Sequence, residues 1–156
     1  MMMRALNLVL ALSVLLFSGL TNTAMADVGS DSKIVADVEI YIGLLPAEII
    51  RGHPQDHPES SMHGGRPMAS DDYHLVIAIF DVRSGARITR ADVTARVSEI
   101  GLAGSQKKLD PMLIAGTETY GNYFEMSGNG PFRISLTIHV PGRPQDITAE
   151  FEHRHQ

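Results

Sequence analysis

The chain has 156 residues, a formal charge of −5 and no cysteine. A mildly acidic chain offers no basic field for nucleic acid, and without thiols neither disulfides nor thiolate metal sites can form. Any metal must then be held by His, Met, carboxylate or backbone oxygen.

The chain opens MMMRALNLVLALSVLLFSGLTNTAMADVGS. Arg4 gives a short positive start, residues 5–20 are almost wholly apolar, and Ala24-Met25-Ala26 places small residues at −3 and −1 of a signal-peptidase site. The apolar run is short for a spanning helix, so residues 1–26 are expected to be a cleaved secretory signal and residues 27–156 a single exported, soluble domain. Cleavage would remove Arg4 and no acid, taking the formal charge from −5 to −6. The mature chain of about 130 residues suffices for one ordinary core.

Beyond the signal, period-two alternation dominates. Ile34, Ala36, Val38, Ile40 and Ile42 alternate with Val35, Asp37, Glu39 and Tyr41 and predict one strand. Residues 74–82 (HLVIAIFDV) are apolar on both faces, as in a central strand. In that register His74 shares a face with Val76, Ala78 and Phe80, predicted to be the mouth of the inner face. Residues 91–100 alternate through Val93, Ala95 and Val97, and residues 107–114 read as a strand whose Pro111 points to an edge. Tyr120, Asn122, Phe124 and Met126 share one face of the next strand. Phe132, Ile134, Leu136, Ile138 and Val140 form the clearest inward row, followed by Ile147, Ala149, Phe151 and His153. About seven short strands separated by turns, with no helix-period segment of useful length, predict an all-β, immunoglobulin-like antiparallel β-sandwich.

One connection is long. Residues 52–72 exceed the usual sandwich turn, and loops of this length are commonly functional or disordered. Within them, residues 53–68 read HPQDHPESSMHGGRPM, rich in the imidazoles and thioethers that hold soft or borderline metals. His53 and His57 are each followed by proline, which argues against a helix that would align them; they read as solvated loop histidines. Met62, His63 and Met68 lie nearer the following strand and its His74. Met112 follows Pro111 at the end of a strand and Met126 faces inward; core packing is the default for both.

The chemistry of catalysis is not visible. Ser84 and Ser127 sit in turns without a G-x-S-x-G frame, and Asp71-Asp72 and Glu150/Glu152 are spaced as solvated carboxylates. Gly101–Gly104 and Gly128–Gly130 lack the helix that would follow a phosphate-binding loop. The expectation is a protein that is not an enzyme.

Four segments, VEIYIGLLPAEI (38–49), DDYHLVIAIFD (71–81), LDPMLIAGTETYGNYFEM (109–126) and GPFRISLTIHVPG (130–142), occur in an order that resembles two related groups. One is the periplasmic high-affinity iron-transport accessory proteins, immunoglobulin-like, often dimeric and able to bind copper; the other is the broader YtkA-like domains. The resemblance implies that His74 matches the strand-opening His ligand and Met112 the Met ligand. Where the iron-accessory pattern has Glu two residues after that His, Val76 stands; where it has His before Tyr-Gly, Thr119 stands. The C-terminal His of the pattern matches either His153 or His155. With His63 as a substitute, the ligand set expected here is His63, His74, Met112, Met126 and His153, and thioethers favour copper, especially Cu(I). The function expected is an exported copper carrier or accessory, with a membrane metal transporter or cuproprotein as partner, a homodimer in prospect and no nucleic acid. Two alternatives are an iron-uptake accessory with an altered site and a non-metal interaction domain that binds a membrane partner through its sandwich edge or through Tyr120, Tyr123 and Phe124.

Overall fold

The structure, a computed structural model, describes residues 31–46, Ile49 and residues 71–155. The segment read as a signal (1–26) and most of the long connection, with His53, His57, Met62, His63 and Met68, lie outside the described residues. Eight strands follow in order: β1 (Ser32–Val35), β2 (Val38–Pro46), β3 (Asp72–Asp81), β4 (Asp92–Glu99), β5 (Ser105–Ile114), β6 (Thr117–Glu125), β7 (Phe132–His139) and β8 (Ile147–His153). They hydrogen-bond in the order β1-β2-β3-β6-β5-β4-β7-β8, with every pair antiparallel. β1 and β8 touch, so the sheet nearly closes on itself. Among the described residues no helix is long and apolar enough to cross a membrane.

The predicted strand over residues 34–42 is two strands. Ala36 and Asp37 both have positive φ, 48° and 61°, and turn the chain into a hairpin in which Val35 faces Val38. Such two-residue turns match the twist of the flanking strands but usually draw on Asn and Gly. Here the turn is held from outside instead: Arg143 Nη1 donates to the Ala36 carbonyl at 2.7 Å, and the Val82 N–H donates to the Asp37 carbonyl at 3.0 Å. The turn shifts the phase of the alternation by one residue. Val35 therefore packs on the core, while Ile34 is 64% exposed.

β5 joins the two layers. Its first half, Ser105 to Leu109, pairs with β4, and its second half, Asp110 to Ile114, pairs with β6. Pro111 falls in the half with a strand on one side only, which is where a residue without an N–H disturbs a sheet least. The enclosed core takes alternate residues from both layers: Val38 and Ile40, Leu75, Ile77 and Ile79, Val93, Ala95 and Val97, Tyr120, Phe124 and Met126, Ile134, Leu136 and Ile138, and Ile147, Ala149 and Phe151. The inward rows read from β4, β7 and β8 are these rows.

Candidate metal centre

In β3 the inward row is Leu75, Ile77 and Ile79. Alternation then turns His74, Val76, Ala78 and Phe80 to the outer face of the sheet, not to the mouth of the inner one. A run apolar on both faces carries no phase, which is why the sequence pattern did not distinguish the two. An outward-facing histidine ordinarily meets water. His74 is fully buried, and neither ring nitrogen reaches solvent.

Met112, Thr119 and Tyr123 are likewise buried without belonging to the enclosed core. Together with His74 they form a satellite cluster on the outer face, and Gly121 is its centre. A Cβ built on Gly121 would lie 2.5 Å from Met112 Cε and 2.9 Å from His74 Nε2. The two side-chain ends are therefore no farther apart than the sum of those distances. They approach from opposite sides, His74 from β3 and Met112 from β5, and meet where β6 has no side chain. Both positions are fixed by ladder register: Tyr123 faces His74, and Thr119 faces Met112. Tyr123 also covers the imidazole, with ring centroids 4.7 Å apart and planes inclined by 31°. The Thr119 hydroxyl donates to the Met112 carbonyl at a long 3.4 Å.

The arrangement is an imidazole nitrogen and a thioether in a small, largely apolar setting. None of the four buried members carries a carboxylate; Asp110, opposite Gly121 in the ladder, is exposed. Among the described residues no group of three His, Cys, Asp or Glu side chains converges as a metal cage would require. Val76 and Thr119, which stand where the iron-accessory pattern has Glu and His, lie on this same face by alternation, so both departures alter the surroundings of His74 and Met112. The donor types present suit a soft ion such as Cu(I), not a hard one.

The other candidate ligands lie elsewhere. Met126 is 2% exposed within the enclosed core. His153 is at the end of β8, opposite Phe132, beside a cleft lined by Asp31, Gly43, Leu44, Phe151 and Glu152. Its pKa is lowered, chiefly because burial disfavours the imidazolium and then because His155 is near, with Asp31 opposing. His155 closes this end of the molecule: the Tyr73 hydroxyl pairs with Nδ1 at 3.0 Å, and Nε2 pairs with the Met126 carbonyl at 3.0 Å. A carbonyl only accepts, so Nε2 donates and, in the neutral ring, Nδ1 accepts from Tyr73. The ring stacks on Tyr73 at 5.0 Å and meets Phe132 edge-on. Tyr73 and His74 point to opposite faces of β3, so neither C-terminal histidine joins the His74–Met112 pair on that outer face.

Tyr120 and Phe124 are buried in the core and Tyr123 is buried on the outer face, so these three rings do not form a shared exposed surface. A shallow depression lined by Glu39, Tyr41, Phe80 and Arg87 opens farther along the outer face. Its groups are mutually engaged: the Tyr41 hydroxyl donates to Glu39 at 2.8 Å, and Arg87 lies over the Phe80 ring. Sequence reading gave Gly121 no role in the site and named Tyr123 only for the non-metal alternative. The buried Tyr opposite His74 becomes visible only once the strand register is known.

No protein-family model matches the chain, and no curated protein matches its sequence. Solved structures do share its fold. FetP of uropathogenic Escherichia coli strain F11 is 17% identical with a TM-score of 0.60, over 80% of this chain and 91% of FetP. Copper-reconstituted P19 of Campylobacter jejuni is 15% identical with a TM-score of 0.61, over 81% of this chain and 93% of P19. A DUF4426 family protein of Pseudomonas aeruginosa PAO1 is 12% identical with a TM-score of 0.55, over 81% and 96% of the two chains. Copper-bound variants of FetP and of P19 are similar to the same degree. At these identities the likeness establishes a common fold.

Proposed function

We propose that this protein is an exported copper-binding carrier, or accessory to a membrane metal pathway, that holds Cu(I) between His74 Nε2 and the Met112 thioether. The observation that carries the reading is the approach of these two side chains to each other over the bare backbone of Gly121. His74 is fully buried on the sheet's outer face, where a histidine ordinarily meets water. The copper-bound structures of FetP and P19, which share the fold, support the choice of metal. Thioether and imidazole together favour the monovalent ion, and Cu(I) is the chemistry the bound metal would bring. His63 is the further donor we assign. It belongs to the connection between β2 and β3, which leaves the sheet at Pro46, opposite Tyr73, one residue from His74. On this reading the protein carries the ion and does no chemistry on it.

Isothermal titration of the mature domain with Cu(I), Cu(II) and Zn(II) tests the proposal. Cu(I) should bind tightest, and His74→Ala or Met112→Leu should each weaken it strongly. The fold should survive Met112→Leu because the volume is nearly kept. The double change His53→Ala with His57→Ala should alter affinity little. Loss of binding in that double variant, with none in His74→Ala, would move the site to the loop.

A further inference from the structure

A histidine serves as a ligand only in the rotamer that aims its free nitrogen at the metal, and residues behind the ring usually enforce that rotamer. For His74 the residue behind the ring is Tyr123, its direct ladder partner. The phenol ring, 6% exposed, lies against the imidazole at 4.7 Å, while Nε2 projects on towards Gly121. Directly opposed side chains on one face of an antiparallel pair interact in this way.

Tyr123 is itself firmly held. The β5–β6 ladder ends at Asp110 and Gly121, because β5 turns there towards β4. Side chains bridge the resulting gap. The Tyr123 N–H donates to Asn122 Oδ1 at 2.8 Å, Lys107 Nζ donates to the Tyr123 carbonyl at 2.7 Å, and Asn122 Nδ2 donates to the Lys108 carbonyl at 2.9 Å. The backbone that carries the ring is therefore fixed at the point where the sheet splits.

Building on the copper reading, we propose that Tyr123 is the positioning residue of the site: lying against His74, it holds Nε2 towards Met112 and so makes the site prefer monovalent over divalent copper. An imidazole released into water binds divalent ions well by itself, since imidazole suits Cu(II) and Zn(II) as it does Cu(I). Preference for the soft ion needs imidazole and thioether to face one point. Away from water, among neutral donors, a second positive charge is also costlier to desolvate.

The test compares Tyr123→Phe, which keeps the plate, with Tyr123→Ile, which keeps strand propensity and removes it. Affinities are measured for Cu(I) by chelator competition and for Cu(II) by titration. Tyr123→Phe should stay within about twofold of wild type, and Tyr123→Ile should lose about 10- to 100-fold for Cu(I), the range typical of residues that orient a ligand. Cu(II) affinity should hold or rise in the Ile variant, so the preference between the two ions collapses. Equal losses for both ions would mean a merely structural tyrosine and overturn the proposal, as would wild-type behaviour in Tyr123→Ile. If wild-type protein binds no Cu(I), the copper reading falls and this proposal with it; if wild type binds and the Ile variant is unaltered, only this proposal falls. Should Tyr123→Ile fail to fold, nitrogen-15 NMR of the wild-type His74 ring decides. Cu(I) should shift Nε2, and a shift at Nδ1 instead would refute the geometry.

Discussion

Replacing Gly121 with alanine places a methyl group where His74 and Met112 meet. The added Cβ would stand 2.5 Å from Met112 Cε, 2.9 Å from His74 Nε2 and 2.9 Å from the Leu75 carbonyl oxygen, all well inside van der Waals separation. The end of Met112 can swing aside. The His74 ring, backed by Tyr123, and the β3 carbonyl move less readily. Overpacking of this kind costs about 1–3 kcal/mol, offset by about 0.5–1 kcal/mol because alanine is the better strand residue. The net loss expected is about 0–2.5 kcal/mol, a fall in Tm of at most roughly 10 °C for a domain of this size. Cu(I) affinity should fall further, by at least about tenfold, because the methyl displaces the His74 nitrogen and the end of the Met112 side chain. Thermal unfolding without metal and chelator competition with Cu(I) separate the two effects. Wild-type Cu(I) affinity in a folded Gly121→Ala protein would show that no ion sits between these side chains.

Leu136 lies in the core between Ala95 and Ala149, two side chains too small to fill the space it would vacate, so Leu136→Ala should cost about 2–5 kcal/mol in denaturant unfolding; a loss below about 1 kcal/mol would contradict its inward facing. The depressed pKa of His153 means that the folded state binds fewer protons than the unfolded one near pH 6.5. Its contribution is present above that pH and is lost as pH falls from there towards the folded pKa. His153→Gln should accordingly flatten the acid limb of a stability-versus-pH curve, and an unchanged limb would exclude His153 as its cause. Exported protein should begin at Asp27, which mass spectrometry reads directly; a retained 1–26 segment would mean a membrane anchor.

The enclosed core was largely legible. Val93, Ala95 and Val97, the row from Phe132 to Ile138, and Ile147, Ala149 and Phe151 all face inward as their alternation indicates, because one polar and one apolar face give a strand its phase. The first strand failed for the opposite reason. Ala36-Asp37 carries no Asn-Gly signature, and the apolar residues on either side continue an apparent alternation through a real turn. At the candidate site the resemblance named His74 and Met112 among five expected ligands, but the place where these two side chains approach was not legible. It depends on β3 and β5 flanking β6, which is long-range pairing that local pattern does not encode, and on Gly121, whose role is the side chain it lacks. The mutual engagement of His155, Tyr73 and the Met126 carbonyl was invisible on the same grounds.

X-ray absorption at the copper K-edge, on Cu(I)-loaded mature protein, reads the donor atoms directly. Ligation by His74 and Met112 requires both an imidazole nitrogen and a sulfur scatterer, with the sulfur signal lost in Met112→Leu and the imidazole signal reduced in His74→Ala. A coordination sphere of nitrogen and oxygen alone, unchanged by Met112→Leu, would contradict the site.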